Sequence, residues 1–146
     1  LYLPLVEAAE PEAQADGAVR PASAGAHILI ADDEKAIRTI GAEMLGERGY
    51  RVTQVSDGRE AVEHYRAHWR EIDLVILDIV MPEMNGAEAF HALREINPEA
   101  RILICSGYSI DGEARTLMER GAAGFIPKPF RTNTLSQAVD RALRSA

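Results

Sequence analysis

The chain carries a single cysteine, Cys105. No disulfide can form within it, so a disulfide-stapled secreted scaffold is excluded, and a reducing cytoplasm is the expected setting. No apolar run approaches the roughly 18 residues that a membrane helix requires, and no signal peptide is visible. Cations are outnumbered: 16 Lys and Arg stand against 23 Asp and Glu, for a net charge of -7. That balance argues against direct nucleic-acid binding, which shows as a basic patch. Neither nucleic acid nor membrane is an expected partner of this stretch. Glycine is missing where a nucleotide site would need it. The loop after the first apolar run is Asp32-Asp33-Glu34, acidic where a phosphate cradle uses bare backbone amides. No repeat at a solenoid period is present.

What remains is a 146-residue chain, 47% hydrophobic, which suits one domain and a tail. Residues 1–26 form the tail: Leu1-Tyr2-Leu3-Pro4-Leu5-Val6 reads as a strand remnant, and the Ala-, Glu-, Pro- and Gly-rich run behind it reads as a linker. The domain is expected over 27–146. It opens on the apolar run His27 to Ala31, followed by a helix with Ile37, Ile40, Met44 and Leu45 at helical spacing and Gly49 as its stop. Tyr50 to Val55 alternates as an edge strand does, Asp57-Gly58 is a turn, and a second helix runs to about Trp69. Ile72 to Asp78 is apolar on both faces, the mark of a central parallel strand covered by helices on both sides. A third helix (Ala87, Phe90, Leu93) precedes a fourth strand, Arg101 to Cys105, which ends on Ser106-Gly107. A helix over about 111–120, a short strand at Gly124-Phe125-Ile126 and a last helix with Leu135, Val139, Ala142 and Leu143 on one stripe complete the chain. Five successive βα units with right-handed crossovers predict a flavodoxin-like, doubly wound α/β sandwich with a parallel five-stranded sheet of order 2-1-3-4-5.

Four strand ends carry polar residues of specific types: Asp32 with Asp33, Asp78, Ser106 and Lys128. In a parallel sheet these ends share one edge, and neighbouring strands lie about 4.8 Å apart, so the side chains can converge. Clustered carboxylates raise one another's pKa, and a hard divalent cation relieves the repulsion. Mg²⁺ fits an all-oxygen set, whereas zinc would call for further His or Cys. Asp78 can then act as a nucleophile toward a phosphoryl group, with metal and Lys128 neutralising its oxygens and Ser106 donating to a third. Taken singly, each residue has a plainer reading. Asp32 or Asp33 suits an N-cap, Asp78 a cap, Ser106 a turn and Lys128 a solvated loop. The conjunction favours the site. His27, His64, His68 and His91 read as surface or structural residues, Trp69 as a packing residue and Cys105 as core.

These residues resemble the receiver domains of two-component response regulators. The resemblance rests on Ile28-Leu29-Ile30-Ala31-Asp32-Asp33-Glu34, on Leu77 to Gly86, on Cys105-Ser106-Gly107-Tyr108-Ser109 and on Phe125-Ile126-Pro127-Lys128-Pro129. It implies that Asp78 takes phosphate from the phosphohistidine of a histidine kinase domain or a histidine phosphotransfer protein. It implies Mg²⁺ on Asp33, Asp78 and the Val80 main-chain carbonyl, with Asp32 acting through water. Ser106 and Phe125 match the family's switch pair, although Phe125 alone also reads as a plain core aromatic. Lys128-Pro129 matches a bond that is typically cis. Val80 and Tyr108 stand where the family sets the rate of dephosphorylation, and neither can orient water, which predicts slow self-hydrolysis. A homodimer through the helix 4, strand 5, helix 5 face is a further implication.

Leu1-Tyr2-Leu3-Pro4 is similar to the last strand of a histidine-kinase ATP-binding domain, and the chain opens on Leu rather than Met. The expectation is therefore the C-terminal receiver of a hybrid sensor histidine kinase. Two alternatives remain open. One is a stand-alone or phosphorylation-independent receiver-like interaction module. The other is a phosphatase of the haloacid-dehalogenase type, although that family carries its nucleophile on the first strand and its paired acids last.

Overall fold

A computed structural model describes residues 25–81, 84–107 and 112–144. Residues 1–24 of the expected 1–26 tail, and Tyr108, lie outside them. Ten elements alternate: β1 (His27–Ala31), α1 (Lys35–Glu47), β2 (Arg51–Val55), α2 (Gly58–His68), β3 (Leu74–Asp78), α3 (Gly86–Ile96), β4 (Ile102–Ser106), α4 (Gly112–Glu119), β5 (Gly124–Pro127) and α5 (Thr132–Arg144). The five strands form one parallel sheet of order β2-β1-β3-β4-β5. This is the expected doubly wound α/β fold.

Burial explains why each run took its place. All five residues of β3 and all five of β4 are buried, as continuous apolar runs between two helical layers must be. Odd and even residues then feed two cores. Leu29, Val75, Leu77, Ile102 and Ile104 pack with Tyr65, Phe90, Leu93 and Leu117 on the α2, α3, α4 side. Ile28, Ile30, Leu74, Ile76, Leu103 and Cys105 pack with Leu45, Leu135, Val139 and Leu143 on the α1, α5 side. Each fully buried Leu or Ile contributes about 1.5–3 kcal/mol in transfer free energy, so the sheet is the main source of stability. Trp69 packs partly buried against the first of these cores.

Helix boundaries have local causes. Gly49 takes φ +93° immediately after the Arg48 C-cap of α1, the left-handed position that favours glycine. Asn85 caps α3 in a reciprocal capping box with Glu88. Asp57 is the N-cap of α2, accepting the Glu60 N–H at 2.8 Å, and Gly58 is already helical, so that pair starts the helix instead of forming a separate turn. Ile40 is 42% exposed, and the inward stripe of α1 runs through Ile37, Gly41, Met44 and Leu45 instead. At Gly41 a side chain would meet the Phe130 ring at 3.0 Å, so glycine lets α1 lie close and turns Ile40 outward. Pro127 ends β5, an edge strand, where a missing N–H is tolerated.

Candidate functional site

Strand register brings the expected residues level. Ala31 lies opposite Leu77 and Asp78 opposite Cys105, so Asp32, the residue after β1, comes beside Asp78. Ser106 lies opposite Pro127, so Lys128 follows one step on. The ladder continues past the strands: Asp32 N–H donates to the Val55 carbonyl, Ile79 N–H to Cys105 and Lys128 N–H to Ser106, at 2.8–3.2 Å. The site residues therefore sit on a hydrogen-bonded rim.

One carboxylate oxygen from each of Asp32, Asp33 and Asp78 falls within a sphere where all lie within 4.8 Å of one another. Asp32 and Asp78 are buried, at 2% and 3% exposure, while Asp33 faces solvent. Lys128 Nζ reaches into the group, donating to Asp32 Oδ2 at 3.1 Å, Glu34 Oε1 at 3.0 Å and Asp78 Oδ2 at 3.3 Å. Ser106 is buried at the end of β4. Asp33, Glu34, Asp78, Ser106 and Lys128, with Val80 and Gly107, line an open cleft of about 530 Å³. The Lys128-Pro129 bond is cis.

The plainer readings of the single residues fail here. Glu34, not Asp32 or Asp33, occupies the N-cap position of α1, and its side chain makes no cap bond. Asp32 Oδ1 accepts the Glu34 N–H at 2.9 Å, which leaves Oδ2 aimed at Lys128. Asp78 caps no helix, since α3 is capped by Asn85. Lys128 is no solvated loop residue, with 11% of its side chain exposed. Val80 is 66% exposed at the mouth. Phe125 is half-buried against the α2, α3, α4 core.

Electrostatics follow from burial. Burial first, then the charge of Asp32, pushes Asp78 up to about 7, against the opposing pull of Lys128 and a hydrogen bond from the Val80 backbone. Burial alone would lower the Lys128 ammonium, but its bond to Glu34 and the charges of Asp78 and Asp32 outweigh it and hold it above the usual lysine range. Two buried acids share one cation, so the cluster is short of positive charge. Cys105, the neighbour of Asp78 on β4, is pushed well above the usual thiol range, chiefly by burial, and is inert core.

Two participants escaped the sequence reading. Glu34 is the third partner of Lys128; its place directly after the paired acids was the available signal. Gly86 is the second. An added Cβ would meet the Asp78 carbonyl oxygen at 2.5 Å and Ile79 Cα at 2.6 Å, and its N–H donates to the Ile79 carbonyl at 2.8 Å. Only glycine lets the start of α3 close onto the backbone behind Asp78, and no side chain signalled that contact.

A family model described as the response regulator receiver domain matches residues 28–140. The chain belongs to that family. It is 38% identical over 121 residues to the sensor kinase CckA of Brucella abortus, covering 83% of this chain but only 13% of that kinase. It is 35% identical over 118 residues to the chemotaxis protein CheY of Thermotoga maritima, covering 80% of this chain and 97% of that one. Its structure is similar to a chain of the CheX–CheY–BeF3–Mg²⁺ complex of Borrelia burgdorferi, with a TM-score of 0.78 and 27% identity over 83% of this chain and 96% of that chain. As a receiver domain of two-component signalling, the chain has a phosphoacceptor role in phosphorelay. That membership sets aside the haloacid-dehalogenase alternative.

Proposed function

We propose that Asp78 is the phosphoacceptor, taking a phosphoryl group from a phosphohistidine with Mg²⁺ as cofactor. The observation that carries this reading is the carboxylate trio, two of its members buried, held within 4.8 Å beside the end of a wholly buried central strand and served by one lysine. The donor set fits Mg²⁺: it is all oxygen, it is short of positive charge, and it opens to water on one side. Asp33, Asp78 and the Val80 carbonyl would hold the ion, with Asp32 acting through water. When bound, the ion supplies the positive charge that keeps these acids ionised beside an anionic phosphoryl group.

The remaining chemistry belongs to the chain's own residues. An Asp78 oxygen attacks phosphorus in line. The new P–O bond forms as the P–N bond to the donor imidazole breaks, and the imidazole leaves with the electron pair and takes up a proton. Lys128 is already drawn to the Asp78 oxygen and can follow charge onto the phosphoryl group. Ser106 offers a hydroxyl donor from the next strand, and its shift toward the phosphoryl group would let Phe125 turn inward. The switch is a population shift of the β4, α4, β5 face.

The kinase or histidine phosphotransfer protein that donates, and a homodimer contact through α4, β5 and α5, complete this reading. The similarity to a segment of a sensor kinase supports a place in a hybrid histidine kinase. A cytoplasmic setting agrees with the one buried, unpaired cysteine, and among the described residues no helix is long and apolar enough to cross a membrane. The test is acetyl phosphate, or beryllofluoride, with Mg²⁺. Phosphoryl incorporation and amide shifts around Ser106 and Phe125 are expected, and both should vanish in Asp78→Ala. Shifts that survive that substitution would point to a module that works without phosphorylation.

A further inference from the structure

The histidines read from sequence as surface or structural are not scattered. Three of the four meet at one corner of the sheet's amino-terminal edge. His64 and His68 lie one turn apart at the end of α2, on one helix face, with ring centroids 4.6 Å apart and planes tilted by 38°. His27 opens β1 beneath them, and its charge is felt at His64. Its Nε2 is 2.7 Å from Thr53 Oγ1, and its Nδ1 is buried without a hydrogen-bond partner.

We propose that His64 and His68 bind a borderline divalent transition-metal ion such as Zn²⁺, at the sheet edge opposite the phosphoacceptor pocket. The geometry suits it. Two imidazoles bonded to one zinc at about 2.0–2.1 Å in a tetrahedral arrangement place their ring centroids about 5 Å apart. The observed spacing of 4.6 Å is close to that. Imidazole also selects the metal class: it suits Zn²⁺, Cu²⁺ and Ni²⁺ and rejects the hard Mg²⁺ that fits the acid trio. His68 is exposed and His64 half-buried, so the site is open and water completes the coordination.

The charges around this corner are mixed. Burial, then the charge of His68 and that of His27, lowers His64. Burial and Arg51 lower His27, while Asp73 and Glu71 oppose them. These two acids bring negative charge to the corner. The nearest arginine on the chain after His68, Arg70, stacks over the Trp69 ring at 5.2 Å. The inference does not depend on the phosphoacceptor reading. A bound ion would tie two successive turns together and stabilise the end of α2 by linkage.

The experiment uses the full chain with Mg²⁺ saturating, so that the acid trio does not compete, and titrates Zn²⁺ alone while following the imidazole resonances. One equivalent should shift His64 and His68 together and leave His91 unmoved. Removing a ligand should cost more than removing an outer-shell partner, so His64→Gln and His68→Gln should each weaken binding by about tenfold or more. His91→Gln should not weaken it. His68→Cys keeps a zinc ligand at an exposed position and should retain binding, which a merely structural histidine would not predict. Zinc affinity that survives the His64→Gln/His68→Gln double substitution, or shifts confined to the Asp32, Asp33 and Asp78 loops, would overturn the proposal.

Discussion

The two edges of the sheet differ in what they do with charge. At the carboxyl-terminal edge, strand register drives three carboxylates together, buries two of them and gives them one ammonium. At the amino-terminal edge, burial acts on histidines and a tyrosine instead of on carboxylates. His27 N–H donates to Asp73 Oδ2 at 2.8 Å, Tyr65 accepts from Asn97 at 3.1 Å, and His27 and His64 are held below the usual histidine range. The same sheet therefore ends in a buried charge cluster on one side and, on the other, a rim of mostly paired polar groups, His27 Nδ1 excepted. The proposed function lies at the edge where charge is crowded, and four measurements probe that contrast.

The sharpest break is Lys128→Met. It removes the one cation from a buried cluster without leaving a large void. Stranding buried acids costs about 3–5 kcal/mol where the partner of an ion pair is removed. Urea unfolding in EDTA at pH 8 should show a loss of that order, and saturating Mg²⁺ should recover much of it. An equal loss with and without Mg²⁺ would mean that Lys128 serves packing alone.

Next is Gly86→Ala. Its new Cβ collides with backbone atoms of Asp78 and Ile79, which cannot swing aside as a side chain tip could. A loss above about 2 kcal/mol is expected, together with weaker Mg²⁺ binding because the carbonyl-bearing loop behind Asp78 is displaced. Gly46→Ala, where nothing lies within 4 Å of the new atom, is the control and should not destabilise.

The third measurement uses pH, since the edges respond in opposite senses. Asp78 titrates near 7 in the folded chain, above its ordinary 3.8. The folded state therefore holds that proton more tightly, and the associated stability is present at low pH and lost as pH rises through about 7. His27 and His64 lie below 6.5 when folded, so their contribution is lost as pH falls below about 6.5. In EDTA, the stability of Asp78→Asn relative to wild type should climb from pH 5 and level off above about pH 7. Saturating Mg²⁺ should flatten that climb. A difference that does not vary with pH would show that Asp78 is not strained by its neighbours.

How far the contrast was legible in sequence follows from what each edge is made of. Periodicity and burial gave all ten elements, because unbroken apolar runs and helical stripes are one-dimensional signals. Asp32, Asp78, Ser106 and Lys128 were legible for a related reason: in a parallel sheet, a polar residue ending an apolar run must arrive at the common edge. Glu34 was not, because its role depends on how far a flexible side chain bends toward Lys128. Gly86 was not, because a close backbone approach leaves no mark except the glycine. Ile40 faces outward because Gly41 lets Phe130 close against α1, a contact nearly ninety residues apart in sequence. The histidine corner was legible only in part: His64 and His68 stand one turn apart on an expected helix, but His27 joins them only once the sheet has folded.

The smallest effect belongs to Val80, the exposed residue at the mouth of the acid pocket. Its side chain lies in solvent, so Val80→Asn should change stability by no more than about 0.5 kcal/mol. If an apolar residue at this position slows the approach of water to an aspartyl phosphate, an amide there should hold and orient that water. Loss of the phosphoryl group from isolated, Mg²⁺-loaded protein should then quicken severalfold, while the rate of phosphorylation by acetyl phosphate stays within about twofold, since water positioning belongs to the transition state of hydrolysis alone. Equal acceleration of both reactions would move the effect from water to the pocket itself. Val80 would then matter through its backbone, whose N–H already bonds to Asp78, and not through the side chain at the mouth.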